Sequence, residues 1–96
     1  MATVELSAAA LHDLDELIDT RSLPADTRER VKRRLEVLEA FPRIGRRLEG
    51  RWQSHRVLLG PWRWMLFVYL VLDEEDRVLV VTVQDARSAG AATADG

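Results

Sequence analysis

Arginine is the residue type with the clearest chemistry in this 96-residue chain. Eleven of the fourteen basic residues lie between Arg28 and Arg63 with only four carboxylates among them, so this segment carries +7 while the whole chain carries −2. Binding follows the local field rather than the total charge. A guanidinium is a planar fork of donors that matches two phosphate or carboxylate oxygens. The segment therefore favours an anionic partner, although solvated helix and loop charges would give the same pattern.

Other reactive side chains are few. The chain has no cysteine, so neither a disulfide nor a cysteine-based zinc site can form. His12, Glu16 and Asp19 recur at helical spacing, but acids dominate that face and no further histidine is near, which favours helix surface over a metal site. The sequence contains no glycine-rich phosphate loop, no Ser–His–Asp arrangement and no nucleotide motif. We predict neither a metal nor a cofactor.

The first half of the chain predicts a strand and two helices. Residues 2–6 predict a short strand, and Ser7 is a suitable N-cap for a helix that ends near Arg21. A second helix is expected to start at Asp26 or Thr27 and to end at Phe41-Pro42. In the first helix we expect four residues to form the apolar stripe and four acids to project outward, namely Leu11, Leu14, Leu17 and Ile18 against Asp13, Asp15, Glu16 and Asp19.

The second half predicts three strands. They cover residues 54–59, 63–72 and 77–85, and an acidic hairpin loop at residues 73–76 joins the last two. The order predicts an α+β fold in which the N-terminal strand and a two-helix hairpin pack on one face of a small antiparallel sheet. We expect a single domain over residues 1–87 and a disordered tail over residues 88–96, where Ser, Ala, Gly and Thr dominate.

The last two predicted strands are apolar on both faces. Two helices can cover only one face of a sheet, whereas two-sided apolar strands are usually buried on both. The uncovered face predicts a protein partner or a homodimer. Alternatively, the N-terminal strand and the loop of residues 42–52 fold over that face.

Nothing in the sequence predicts a membrane location. The N-terminus lacks a basic stretch followed by an apolar run, so no signal peptide is indicated. The apolar run of residues 64–72 is too short to span a bilayer as a helix. We expect a soluble, cytoplasmic protein.

Five short motifs, in one order, resemble the RelE/ParE toxin superfamily over about residues 1–87. They are FPRIGRRLEG at residues 41–50, RVL at residues 56–58, GPWR at residues 60–63, the apolar strand through Tyr69, and VQDAR at residues 83–87. The resemblance implies the toxin of a type II toxin–antitoxin system, with growth inhibition and plasmid stabilisation as its roles. It also implies a cognate antitoxin as partner.

In ribosome-dependent RelE-like members, basic and aromatic residues at the strand ends cut messenger RNA in the decoding site. By position, Arg63 matches the arginine of the turn, Arg87 matches the arginine after the last strand, and Arg56 falls where such members carry a basic residue. Tyr69 is similar to the tyrosine of their central strand, or is a core residue. A permanently charged guanidinium is a poor base, so the arginines would stabilise the charged phosphate.

RNA cleavage also needs a general base or acid, for which His55 and Asp85 are the candidates. Side chains alternate along a strand, so His55 and Arg56 point to opposite faces, whereas Asp85 and Arg87 share one. The expected catalytic set is Arg56, Arg63, Arg87, Asp85 and His55, and the expected RNA-binding set is Arg43, Arg46, Arg47, Arg51 and Trp62.

Three functions remain open. The first is a ribosome-dependent mRNA endonuclease, for which the ribosome and mRNA would be partners. The second follows from ParE-like members, which lack the nuclease set and inhibit DNA gyrase through protein contacts. SAGAATADG follows Arg87 and holds neither the tyrosine nor the histidine that many nuclease members carry there. The third is a catalytically decayed interaction module.

Overall fold

A computed structural model describes residues 1–88 and 90–93. Ser7 caps the first helix as expected, because its hydroxyl oxygen accepts the Ala10 N–H at 3.0 Å. The elements, in chain order, are β1 (Thr3–Leu6), α1 (Ala8–Thr20), α2 (Thr27–Leu35), α3 (Val37–Ala40), β2 (Arg46–Arg47), β3 (Arg56–Leu59), β4 (Met65–Leu72) and β5 (Arg77–Asp85). Short 3₁₀ turns occupy Gly50–Trp52 and Asp73–Glu75.

The five strands form one sheet in the order β1-β5-β4-β3-β2. The expected α+β fold with helices on one face is confirmed, but the sheet is mixed rather than antiparallel, because β1 runs parallel to β5. β2, β3, β4 and β5 pair in antiparallel fashion. A short turn between two strands makes them antiparallel, whereas parallel strands need a longer connection. The chain between β1 and β5 includes the helices and is long enough for parallel pairing.

Two expected strands begin later than predicted. β4 starts at Met65 instead of Arg63, and β3 starts at Arg56 instead of Ser54. Gly60 to Trp64 instead form a turn, in which Gly60 N–H donates to the Met65 carbonyl at 2.8 Å and Met65 N–H donates to the Trp62 carbonyl at 3.0 Å. This turn presents Trp62, Arg63 and Trp64 at the end of the sheet.

α1 is rotated relative to the predicted amphipathic face. Leu11, expected in the apolar stripe, is 52% exposed. Asp13, expected to project outward, instead faces β5 and accepts the Thr82 hydroxyl at 2.6 Å and the Val83 N–H at 3.2 Å. The hydrogen bonds to β5 offset the cost of partly burying a carboxylate, which the hydrophobic pattern alone does not reveal.

The main core lies between the helices and the sheet. Tyr69, Phe67 and Met65 of β4 are fully buried there. Burial of one large apolar side chain contributes roughly 1.5–3 kcal/mol. The other buried residues of this core include Ala10, Leu14, Val31, Leu35, Leu38, Leu58, Val78, Val80 and Val83.

The opposite face of the sheet is covered by the chain itself. Leu66 and Val68 of β4 pack there with Ala91 and Ala92, and the Ala92 N–H donates to the Gln84 side-chain oxygen at 2.7 Å. Leu48 and Trp52, from the loop of residues 42–52, complete the cover. The two-sided apolar strands therefore require neither a homodimer nor another partner. The sequence also offered the N-terminal strand and the loop of residues 42–52 as a cover for this face. The loop does cover it, whereas the N-terminal strand is an edge strand of the sheet.

The C-terminal segment differs from the expected tail in part. A tail was expected from Ser88 onward, but Ala91 and Ala92 are buried against the sheet. Small side chains seat closely on an apolar sheet face, which accounts for the packing of this low-complexity stretch. Residues 89 and 94–96 lie outside the described residues. Within the described ranges, no helix has the length and apolar character to cross a bilayer.

Candidate functional site

Asp85, the last residue of β5, anchors a group of charged and aromatic side chains at one end of the sheet. It lies opposite Met65 in the ladder and is only 7% exposed. Arg87 holds it through three hydrogen bonds, from the backbone N–H at 2.8 Å, Nε at 3.0 Å and Nη2 at 2.9 Å. Arg21, which follows α1, donates to the same carboxylate. Two arginines therefore share one nearly buried acid.

The two arginines keep Asp85 ionised. Hydrogen bonds from the Arg87 side chain lower the pKa of Asp85 to about 2; burial opposes this effect, while the Arg87 backbone N–H and the charges of Arg87 and Arg21 add to it. The same hydrogen bonds raise the pKa of Arg87 above its usual value. A carboxylate with so low a pKa is a weak base at neutral pH. Asp85 thus acts as a structural counter-ion for the arginines.

Two tryptophans extend this group. The rings of Trp62 and Trp64 stack with centroids 6.2 Å apart and planes inclined by 24°. The Arg87 and Arg21 guanidinium carbons lie 5.0 Å and 5.9 Å from the Trp64 ring centroid, and that of Arg30 lies 5.6 Å from Trp62. These are cation–π distances. We call these side chains the arginine–tryptophan cluster, which consists of Arg21, Arg30, Trp62, Trp64, Asp85 and Arg87.

Arg63 and an open groove adjoin the cluster. Arg63 is exposed between the two tryptophans in sequence, and among the described residues its guanidinium makes neither a hydrogen bond nor a salt bridge. The groove measures about 670 Å³ and runs along α2 beside the turn. Three arginines line it against two carboxylates, together with two apolar residues: Arg30, Arg33 and Arg34, Asp26 and Glu29, and Val37 and Pro61. This end of the molecule therefore offers fixed positive charge to an anionic surface.

The structure does not bring Arg56 together with Arg63 and Arg87. Arg56 lies opposite Tyr69, four residues along β4 from the residue opposite Asp85, which is about 13 Å at a strand rise of about 3.3 Å. Its Nη1 donates to the Gly45 carbonyl at 2.9 Å and to the Arg43 carbonyl at 3.2 Å. Arg56 thus serves the loop before β2, because register along β4 separates it from the cluster.

Tyr69 is a core residue. It is fully buried, and its hydroxyl oxygen accepts the Gly45 N–H at 2.9 Å. Burial raises the pKa of Tyr69, against the lowering effects of this hydrogen bond and of the Arg56 charge. An enclosed phenol with a raised pKa cannot reach a substrate at the cluster. The sequence pattern that marks this tyrosine therefore marks a structural hydrogen bond in this chain.

His55 lies away from the cluster. Its ring meets the Trp52 ring edge-on at 5.1 Å, beside the second apolar face of the sheet. Its Nδ1 is buried, and no atom of the described residues accepts or donates a hydrogen bond to it. His12 is also remote, since it pairs with Glu16 on the exposed surface of α1.

The expected RNA-binding residues occupy two separate places. Arg46 and Arg47 are exposed on β2 at the sheet edge, and Arg51 lies over the Trp52 ring at 5.6 Å. Arg43 is ion-paired with Asp73 in the turn between β4 and β5. Trp62 belongs to the cluster instead. The +7 segment is therefore divided between the β2 edge and the surface around α2.

Sequence reasoning missed Arg21 and Arg30. Both come from the helical half of the chain, and only tertiary packing brings them to the strand ends, so no local signal marks them. Trp64 carried a weak signal, because it directly follows the GPWR motif of residues 60–63. The resulting site combines fixed cations, stacked rings and one ionised acid. In the part of the chain that the structure describes, no group of three or more metal-ligating side chains forms.

Comparison with known proteins finds one matching family and several solved structures of the same fold. The model of the ParE toxin of the type II toxin–antitoxin system parDE matches residues 4–90. The isolated Escherichia coli RelE toxin is 24% identical, with a TM-score of 0.65 and coverage of 94% of this chain and 89% of its own. The RelBE2 toxin–antitoxin complex of Mycobacterium tuberculosis matches at 21% identity and a TM-score of 0.67, covering 88% of this chain and 96% of that one. No curated protein matches the sequence.

Proposed function

Because the chain belongs to the ParE toxin family of type II toxin–antitoxin systems, we propose that it arrests growth by binding a target protein, without cutting RNA. The observation that carries this proposal is the state of Asp85. RNA cleavage needs one group to deprotonate a 2′-hydroxyl and one to protonate the leaving oxygen. The acid at the cluster has a pKa of about 2, and its oxygens accept hydrogen bonds from Arg21 and Arg87.

The other side chains that the sequence offered for this chemistry are remote from the cluster. His55 packs on Trp52, and Tyr69 is enclosed in the core. An arrangement of fixed cations and stacked tryptophans suits recognition of an acidic protein surface, in which arginine and tryptophan supply most of the binding energy. Arg63 is the exposed cation best placed to take part.

DNA gyrase is the target we propose, since the resemblance to ParE-like members implies inhibition of gyrase through protein contacts. The test induces the protein in cells, then measures plasmid supercoiling and maps the 5′ ends of messenger RNA on translating ribosomes. We expect a change in supercoiling without codon-periodic cuts. Codon-periodic cuts with unchanged supercoiling would instead support the endonuclease, and neither response would support an interaction module.

Two variants sharpen this experiment. Arg63→Ala removes an exposed cation beside the cluster and is expected to reduce the supercoiling effect at least tenfold. Arg46→Ala removes an exposed cation on β2, at the edge of the sheet away from the cluster. An mRNA nuclease that uses the loop arginines would need Arg46, whereas the proposed gyrase inhibitor would retain its effect without it.

We also propose a binding place for the cognate antitoxin. Solved structures of similar fold include toxin–antitoxin complexes, among them the intact Escherichia coli RelBE complex. In this chain an open groove of about 550 Å³ lies between β1, α1 and α2. Its apolar lining includes Val4, Leu6, Leu11, Leu14, Val31 and Leu35, and its charged lining mixes Arg28 and Lys32 with Asp15, Glu36 and Glu39. The apolar face of an amphipathic helix fits this surface.

Leu11 tests the antitoxin groove, because it is exposed although it lies on the apolar lining. With the antitoxin co-expressed, Leu11→Asp is expected to restore growth arrest, since a charge would be desolvated in the interface. Leu59→Asp, at an exposed leucine outside the groove, should still be neutralised. Equal neutralisation of both variants would contradict the assignment. A gyrase-directed toxin and its antitoxin would meet in the cytoplasm, where we expect this protein to act.

A further inference from the structure

Three large apolar side chains are exposed at the end of the molecule opposite the arginine–tryptophan cluster. Met1 is 87% exposed, Phe41 61% and Ile44 56%. Two backbone hydrogen bonds bring these residues close to one another. The Ile44 N–H donates to the Phe41 carbonyl at 3.1 Å, and the Ala2 N–H donates to the Glu39 carbonyl at 2.9 Å. We call Met1, Phe41 and Ile44 the apolar pole. Single exposed apolar residues are common and need no functional explanation. Whether the pole binds a partner therefore has to be argued from the backbone that holds it and from the charges around it.

The backbone beneath the pole is rigidly held. The buried Tyr69 hydroxyl accepts the Gly45 N–H, and Arg56 donates to the carbonyls of Arg43 and Gly45. Gly45 has no room for a side chain, since a Cβ would lie 2.5 Å from the Val57 carbonyl oxygen and 2.6 Å from the Tyr69 hydroxyl. These contacts fix the backbone on both sides of Ile44. A surface fixed before binding loses little conformational entropy when a partner docks.

An acidic turn flanks the pole. Residues 73–76 are four consecutive carboxylates, all exposed, and Asp73 pairs with Arg43 between Phe41 and Ile44 in sequence. Asp76 lies 4.0 Å from the N-terminal amine, and Glu75 pairs with Arg77. Glu74 makes no salt bridge within the described ranges. An apolar centre with a charged rim is the anatomy of a protein–protein interface.

We propose that the apolar pole is a second docking surface, which binds a segment of a partner protein that carries large apolar side chains flanked by lysine or arginine. The rim holds four carboxylates against three cations, namely Arg43, Arg77 and the N-terminal amine, so its net charge is −1 and favours a basic occupant. An RNA backbone or an anionic membrane would be repelled by the carboxylates, whereas a basic segment would be attracted. This proposal rests on the proposed function only in one respect, which is that both surfaces act through contacts with proteins. The pole lies at the end of the sheet opposite the arginine–tryptophan cluster.

A peptide titration tests the pole. The ¹⁵N-labelled full chain is titrated with a synthetic helical peptide of leucine and lysine, and in parallel with its leucine and glutamate counterpart. The lysine peptide is expected to shift the amide signals of residues 41–45 and 73–76, and to bind at least tenfold more tightly than the glutamate peptide. Equal binding of the two peptides, or signals that shift elsewhere, would overturn the proposal.

Matched variants separate docking from general stickiness. Phe41→Ser with Ile44→Ser should weaken lysine-peptide binding at least tenfold, and Glu74→Gln should weaken it two- to threefold with a smaller salt dependence. Leu59→Ser, at a leucine that is 48% exposed away from the pole, should leave binding unchanged. Near-ultraviolet circular dichroism checks that each variant folds.

Two further outcomes are informative. Self-association in a sedimentation experiment that the Phe41→Ser, Ile44→Ser variant abolishes would overturn the proposal, because it would assign the pole to a second copy of the chain. The two proposals can fail separately. Peptide binding tests the pole through residues 41–45, whereas the supercoiling assay tests the proposed function through Arg63. Loss of the gyrase effect alone would remove the proposed target and leave the pole in place.

Discussion

At the scale of single residues, Asp85 determines which chemistry the site can perform. It is nearly buried, it lies between Arg21 and Arg87, and its pKa is about 2. A proton acceptor for catalysis at neutral pH needs a pKa near the working pH. Asp85 instead pairs with two arginines that lie against Trp64, and because one carboxylate balances only one guanidinium, a net positive charge remains for a partner without proton transfer.

The depressed pKa of Asp85 predicts a pH-dependent stability. The carboxyl titrates near 3.8 when unfolded and near 2 when folded, so its contribution is fully present above about pH 4 and is lost as the pH falls toward 2. At pH 7, Asp85→Asn should lower the free energy of unfolding by about 2 kcal/mol, since charged hydrogen bonds are lost. Urea unfolding of both proteins from pH 7 to pH 2 should show the difference shrinking below pH 4. Asp15→Asn, at an exposed pair with Arg28, is the control.

Gly45 predicts a packing effect at the apolar pole. Gly45→Ala places a Cβ within 2.6 Å of two fixed atoms, one of them the Val57 backbone oxygen, so overpacking should cost about 1–3 kcal/mol of stability. Tyr69→Phe removes only the hydroxyl that accepts the Gly45 N–H and should cost about 1 kcal/mol. Chemical unfolding measures both. A Gly45→Ala protein as stable as the parent would contradict the described geometry of the turn.

At the scale of elements, the C-terminal segment behaves as part of the domain. Ala91 and Ala92 cover Leu66 and Val68 on the face of the sheet that the helices leave open, and Gln84 holds the segment through its side-chain oxygen. Apolar residues on both faces of β4 are thereby covered without another chain.

Truncation tests this cover. A chain that ends at Ser88 should expose the second face of the sheet, bind a dye for apolar surface several-fold more strongly, and unfold at a lower urea concentration. A chain that ends at residue 93 keeps the described segment and serves as the control. Identical dye binding by the two truncated chains would show that the segment does not protect the sheet.

At the scale of the whole molecule, charge is unevenly distributed along the sheet. Arg21, Arg63 and Arg87 lie at the end where β4 starts and β5 ends, whereas the carboxylates of residues 73–76 lie where β4 ends and β5 starts. A net charge of −2 therefore hides two poles of opposite sign. Each pole favours a different partner, because association follows local potential.

This polarity predicts a salt-dependent toxin. Inhibition of purified gyrase should weaken as potassium chloride rises from 50 to 300 mM, since screening reduces attraction between exposed charges. Arg63→Ala should show a weaker salt dependence, because one exposed cation near the cluster is gone. Inhibition that is independent of salt for both proteins would indicate that the arginine–tryptophan cluster does not face gyrase.

Local patterns in the sequence determined the elements of this protein. An apolar run bounded by turn residues marked β5 at residues 77–85, Ser7 marked the start of α1, and Asp26 preceded α2, because caps and apolar patterns act over a few residues. The same patterns indicated an α+β fold with the helices on one face. Motif order added the resemblance to RelE/ParE toxins.

Tertiary structure alone decided which side chains meet. Strand register placed Arg56 beside Tyr69 and away from Arg87, and helix packing brought Arg21 and Arg30 to the tryptophans. The parallel pairing of β1 with β5 and the cover of the second face by residues 91–92 are likewise contacts between segments far apart in sequence. Such contacts depend on the packing of whole elements, whose relative positions no short stretch of sequence encodes.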